Sequence, residues 1–204
     1  MLGFSDYCDN VTQCFNLLKA SAGDCEQAVE TVVYALKNGN KIIFCGNGGS
    51  AADCQHLAAE LMGRFLFDRT PLAAISLTVD TSALTAIGND YGYNAVFSRQ
   101  LRGLGRKGDV LVALSTSGNS QNVVEAIQVA KELGVKTIGL TGGTGGKMAK
   151  LCDVSICVPS GSTNNIQEMH IVIGHWLCGV VEERMCTPLE VEDSFSVSRL
   201  EKIA

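Results

Sequence analysis

The sequence predicts an α/β fold, a parallel sheet with helices packed on both faces, and two observations carry that prediction. Apolar runs of strand length recur at residues 41–45, 72–77, 109–114, 135–140 and 153–158, and most are separated by stretches with helical periodicity. Strands that alternate with helices of such length pair in parallel and need cover on both sides. The runs are also apolar almost throughout, as in Ile42-Ile43-Phe44-Cys45, which suits a strand with no solvent-facing side.

The elements follow in order. Residues 5–38 show helical periodicity through Val11, Phe15, Leu18, Ala28, Val32, Ala35 and Leu36, with a break expected near Gly23-Asp24. They predict an outer helical pair ahead of the first strand. After strand 41–45 comes a helix over 50–65, strand 72–77, a mixed segment over 80–102, strand 109–114, a helix over 120–133, and strands 135–140 and 153–158. A long helix over about 164–185 closes the pattern. The expected organisation is an N-terminal helical unit at 1–38, one domain at 39–186, and an extension at 187–204 without a functional reading.

Length and composition narrow the function. A chain of 204 residues, 46% hydrophobic, suits one α/β domain with peripheral helix. A net charge of −5 with scattered Lys and Arg argues against nucleic acid, whose phosphates call for a concentrated basic surface. No apolar run reaches membrane-spanning length, and the N-terminus lacks a basic region followed by an apolar block, so a cytoplasmic protein is expected. The nine cysteines are odd in number, include no C-x-x-C pair and fall mostly in apolar stretches, which predicts reduced core thiols.

The most informative stretch is Gly46-Asn47-Gly48-Gly49-Ser50 with His56 and Glu60 behind it. It reads as strand, glycine turn, helix, with Ser50 and Asp53 as a capping-box-like start. His56 and Glu60, four residues apart, share a helix face. Each feature has a structural alternative, an ordinary turn and a solvated surface pair. The glycines also satisfy the loose dinucleotide pattern, but Asp80 stands about 30 residues beyond them instead of about 20. A second loop, Ser115-Thr116-Ser117-Gly118-Asn119-Ser120, precedes a helix with more hydroxyls than one cap needs. Backbone N–H groups at a helix start, joined by such side chains, suit a phosphate monoester. Thr141 to Met148 fails the P-loop pattern, because Thr141 and Met148 stand where Gly and Ser or Thr are required, and reads as a flexible turn. In the last helix Asn164 is a candidate cap, with Gln167 completing a capping box. His170 and His175 differ by about 140° around a helix, so at least one is structural.

Taken together, Gly46-Asn47-Gly48-Gly49-Ser50, His56 with Glu60, Gly88-Asn89-Asp90-Tyr91-Gly92, Ser115 to Ser120, and Ile166-Gln167-Glu168-Met169-His170 with His175 resemble the phosphoheptose isomerases of the sugar isomerase (SIS) superfamily. The resemblance covers roughly residues 25–185 in order. It implies a three-layer αβα sandwich around a five-stranded parallel sheet of flavodoxin-like, doubly wound type. It also implies a homotetramer that converts sedoheptulose 7-phosphate to D-glycero-D-manno-heptose 7-phosphate. On the family pattern, Ser115, Thr116, Ser117 and Ser120 form the phosphate cradle, and Asn47, Gly48, Gly49, Asn89 and Asp90 contact the sugar. Glu60 and His175 match the acid/base pair, and His56, Glu60, Gln167 and His175 match the zinc ligands. A non-catalytic SIS binding protein is the alternative. Gln167 and His175, eight residues apart, are separated by about 12 Å on one intact helix, so both reach one ion only at full stretch.

Overall fold

The computed structural model describes residues 3–185; the expected extension at 187–204 lies outside them. Strands β1 (Ile42–Gly46), β2 (Ala74–Ser76), β3 (Val110–Leu114), β4 (Lys136–Gly142) and β5 (Val154–Val158) form one five-stranded sheet in the order β2-β1-β3-β4-β5. Every neighbouring pair is parallel, with Phe44 of β1 beside Ser76 and Val112. The chain steps outward from β1 to β2, then crosses back to β3 on the other side. At such a switch the loops leaving the two adjacent strands diverge and open a crevice at their carboxyl ends. Those loops are the glycine turn after β1 and the Ser/Thr loop after β3.

Two apolar layers hold the sheet. Ile42, Phe44, Val110, Val112, Ile138 and Ile156 point to a core shared with α1 (Phe4–Leu18), α2 (Ala22–Lys37), α3 (Gly49–Met62) and α7 (Thr163–Met185). Ile43, Cys45, Leu111 and Ala113 point to a second core under α4 (Thr81–Tyr91), α5 (Val96–Leu104) and α6 (Gln121–Leu133). Successive strand residues feed opposite layers because strand side chains alternate, and each fully buried Ile, Leu or Phe contributes about 1.5–3 kcal/mol.

The boundaries differ from expectation where local chemistry overrides periodicity. The N-terminal break falls on a 3₁₀ turn at Lys19–Ser21, and Gly23 lies inside the first turn of α2. The mixed segment resolves into α4, a 3₁₀ turn at Tyr93–Ala95 and α5. The helix expected over 50–65 is α3, which stops at Met62. Ser50 does not cap it: the helix starts one residue earlier, with Gly48 as the capping residue at φ 56°, a conformation that favours glycine. Asn164 does not cap α7 either, since that helix begins at Thr163 and Asn164 lies in its first turn.

Candidate active site

The glycine turn and the Ser/Thr loop meet at the crevice through a reciprocal amide pair that the sequence reading missed. Asn47 Nδ2 donates to Asn122 Oδ1 (2.9 Å), and Asn122 Nδ2 donates to Asn47 Oδ1 (2.8 Å). Asn122, only 3% exposed at the start of α6, also accepts from the Val123 N–H. The one signal for it was an amide within an otherwise apolar stripe. Tyr93 Oη donates to Asn47 Oδ1 at 3.2 Å, which returns the corner after α4 to the turn. Asn89 and Asp90 lie on the exposed end of α4, bonded to each other at 2.8 Å. Asp80, the acid weighed for a dinucleotide ribose, caps α4 by accepting from the Ala83 N–H.

In the Ser/Thr loop, Ser115 Oγ lies 2.9 Å from Ser120 Oγ and 3.5 Å from Ser117 Oγ, so three hydroxyls face one another just ahead of α6. Ser115 is buried, Thr116 and Ser120 are half-buried and Ser117 is exposed. The segment expected to be a flexible turn braces this loop instead. Met148 N–H donates to the Gly118 carbonyl (3.1 Å), and Lys147 N–H donates to Asn119 Oδ1 (3.1 Å). Gly118 sits at φ 64°, and a Cβ there would overlap the Gly145 carbonyl oxygen.

The third cluster lies farther down α3. His56 Nε2 stands 2.8 Å from His175 Nε2 and 3.2 Å from Glu60 Oε1. One ligand atom from each of the three residues lies within 4.8 Å of the others, and among the described residues this is the one such group of His, Cys, Asp or Glu. Two imidazole nitrogens and a carboxylate oxygen at this spacing match the donors of a zinc site that leaves a position open. The i, i+4 pair is thus a genuine contact. It becomes a cluster because α7 packs alongside α3, with Gly174 under Leu57 and Cys178 Sγ near the Leu57 carbonyl.

Gln167 does not join that cluster. Its amide occupies the space a Cβ on Gly49 would need, and it lines a cleft of about 290 Å³ with Asp53, Asn164, Glu168 and Ile171. Asp53 Oδ2 is buried there without a hydrogen-bond partner among the described residues, and burial pushes its carboxyl pKa up. Gly49 precedes His56 by seven residues and Glu60 by eleven, or about 10 and 16 Å along α3. Within one protomer the crevice and the His/Glu cluster are therefore two to three helical turns apart.

The remaining candidates separate cleanly. His170 is fully buried, with Nε2 placed to donate to the Thr141 carbonyl at 3.1 Å, so it is the structural histidine of the pair. Cys45 and Cys54, which flank the glycine turn, are buried as expected of core thiols, and burial pushes both above their ordinary range. Eight described cysteines are free; Cys8 is exposed, whereas Cys14, Cys45, Cys54 and Cys178 are buried.

A model of the SIS domain matches residues 6–142. The chain belongs to the SIS domain family. Within it, a phosphoheptose isomerase of Rhodospirillum rubrum is 56% identical over 181 residues, covering 89% of this chain and 96% of that protein. One from Akkermansia muciniphila is 58% identical over 171 residues, covering 84% and 90%. Among solved structures, the phosphoheptose isomerase of Neisseria gonorrhoeae superposes with a TM-score of 0.83 at 46% identity, covering 88% of this chain and 96% of that one. As SIS domain loops, the Ser/Thr loop and the glycine turn stand at the strand ends where the fold places ligands.

Proposed function

We propose that this SIS domain is an aldose-ketose isomerase that converts sedoheptulose 7-phosphate to D-glycero-D-manno-heptose 7-phosphate, the first step toward nucleotide-activated heptose for surface glycans such as lipopolysaccharide. One observation carries the reading. His175 comes from 115 residues beyond Glu60 in the chain, yet its Nε2 stands 2.8 Å from His56 Nε2, which is itself 3.2 Å from Glu60 Oε1, with all three ligand atoms within 4.8 Å of one another. The relatives named phosphoheptose isomerase support the same conclusion.

Moving the carbonyl from C2 to C1 requires a base for the C1 proton and a group that moves protons on the oxygens. Glu60 takes the proton from C1, giving an enediol, and returns it to C2. His175 carries the proton between the two oxygens. A positioned carboxylate and imidazole each contribute roughly 10² to 10⁴ in rate. Ser115, Thr116, Ser117 and Ser120, with the N–H groups that open α6, hold the phosphate, and Asn47, Gly48, Gly49, Asn89 and Asp90 bind the sugar chain. His56, Glu60 and His175 would hold zinc, with Gln167 as the family's fourth ligand. When bound, zinc supplies Lewis-acid polarisation of the carbonyl and hydroxyl oxygens.

The separation of crevice and cluster along α3 supports a shared site. In the homotetramer we propose, the crevice of one protomer faces the cluster of another, which also gives Gln167 a route to an ion its own chain holds at a distance. Among the described residues no helix is long and apolar enough to cross a membrane, in keeping with a cytoplasmic enzyme. Incubating the purified protein with sedoheptulose 7-phosphate, with and without a chelator, tests the reading. Aldose 7-phosphate should form and should fall with chelation; no aldose under either condition would return the chain to the non-catalytic binding class.

A further inference from the structure

We propose that Phe65 is a positioning residue for His175, held in place by a buried Glu182–Arg69 anchor at the end of α3. The proposal rests on the isomerase reading of His175. The Phe65 ring lies nearly parallel to the His175 imidazole, at 12° with centroids 5.6 Å apart, while His56 meets the imidazole edge-on at 5.0 Å and 74°. One ring thus covers an imidazole face, and the other fixes the direction of Nε2. Gly179, one turn beyond His175, lies alongside the Phe65 ring: a Cβ there would stand 3.4 Å from its edge, an ordinary van der Waals contact.

The segment that carries Phe65 is irregular, and its order comes from α7. Glu182 lies seven residues past His175, about two turns along the same helix face. It is fully buried and accepts the Phe65 N–H at 2.9 Å, the Leu66 N–H at 2.5 Å and the Phe67 N–H at 3.2 Å. Three successive N–H groups on one carboxylate curl the chain into an anion nest, and the half-buried Phe65 ring packs against the apolar core. Arg69 completes the anchor. Its Nε is 2.8 Å from Glu182 Oε1, in an approach off the N–H axis that makes a charge contact and not a hydrogen bond. Its terminal nitrogens donate to the carbonyls of Glu60 (2.9 Å) and Leu61 (2.9 Å), closing the C-terminal turn of α3. The same ion pair therefore ties down the backbone of Glu60 and the ring that backs His175. A base that works on two adjacent carbons and an imidazole that serves their oxygens gain from one shared anchor, because a displacement of about 1 Å can cost a hundredfold in rate.

Phe65→Leu and Phe65→Tyr decide the matter against the active wild type. In Phe65→Leu, kcat falls about tenfold to a hundredfold, while KM stays within about twofold because the phosphate loop is untouched. Phe65→Tyr keeps a flat ring and restores kcat. Independently of activity, the imidazole protons of His175 carry a ring-current displacement in the proton NMR spectrum that Phe65→Leu removes and Phe65→Tyr preserves. Unchanged kcat in Phe65→Leu, equal losses in both variants, or an unmoved His175 signal would each overturn the positioning role. A wild type that makes no aldose would instead break the isomerase reading, and the NMR comparison would still decide whether the ring is stacked.

Discussion

The Ser/Thr loop and the His/Glu cluster are two candidate binding centres built in different ways. The loop is local: six consecutive residues between β3 and α6 supply hydroxyls and N–H groups, and its shape is enforced mainly by backbone contacts to the turn after β4. The cluster is distributed: His56 and Glu60 stand on α3 and His175 on α7, and their approach depends on helix packing and on the buried anchor at Glu182. A local loop tolerates changes elsewhere in the fold. A distributed cluster responds to every shift between two helices, and so it is the more sensitive reporter of tertiary structure.

The largest expected effect separates the two centres by chemistry. Glu60→Gln should lower turnover by roughly 10² to 10⁴ while leaving the fold intact and the protein still able to bind the sugar phosphate by calorimetry. A near-normal rate would remove Glu60 from the role of base. Next comes the anchor. Glu182→Ala leaves Arg69 buried without its charge partner, a loss that typically destabilises by about 3–5 kcal/mol. Urea unfolding reads it, and a loss under about 1 kcal/mol would place the pair among those that contribute little.

The loop has its own test. Gly118→Ala forces a methyl into the Gly145 carbonyl at a positive φ, for an expected cost of about 1–3 kcal/mol. KM for the sugar phosphate should rise with zinc binding unchanged; a change in zinc affinity with KM constant would show that loop and cluster are not separate centres. The smallest effect is a slope. Burial pushes the His170 pKa down to about 4 from its ordinary 6.5, with the bond to the Thr141 carbonyl opposing the shift. The unfolded chain then takes up a proton that the folded chain refuses, so stability is full above about pH 6.5 and declines as pH falls toward 4. The slope is at most about 1.4 kcal/mol per pH unit. Denaturation at about pH 7 and pH 5.5 should show it, and His170→Leu should flatten it.

The sequence by itself determined the layered α/β architecture, the order of the elements, the two strand-end loops and the contact between His56 and Glu60. Each of these rests on neighbours in the chain: strand alternation, glycine after a strand, hydroxyls before a helix, i, i+4 spacing. Helix ends were less legible, because Gly48 outcompeted Ser50 as the start of α3 through backbone geometry that composition does not encode. The family resemblance pointed to His175 as the histidine of the cluster, and tertiary structure supplied the physical reason. His170 and His175 sit in similar apolar sequence, and only the packing of α7 on α3 and β4 turns one to the Thr141 carbonyl and the other to His56. It alone revealed Asn122, Phe65 and Glu182, whose partners lie 75, 110 and more than 110 residues away. The gap between Gln167 and His175 was legible beforehand, since a helix spreads eight residues over about 12 Å; what tertiary structure added is that the Gln167 amide packs beside Gly49.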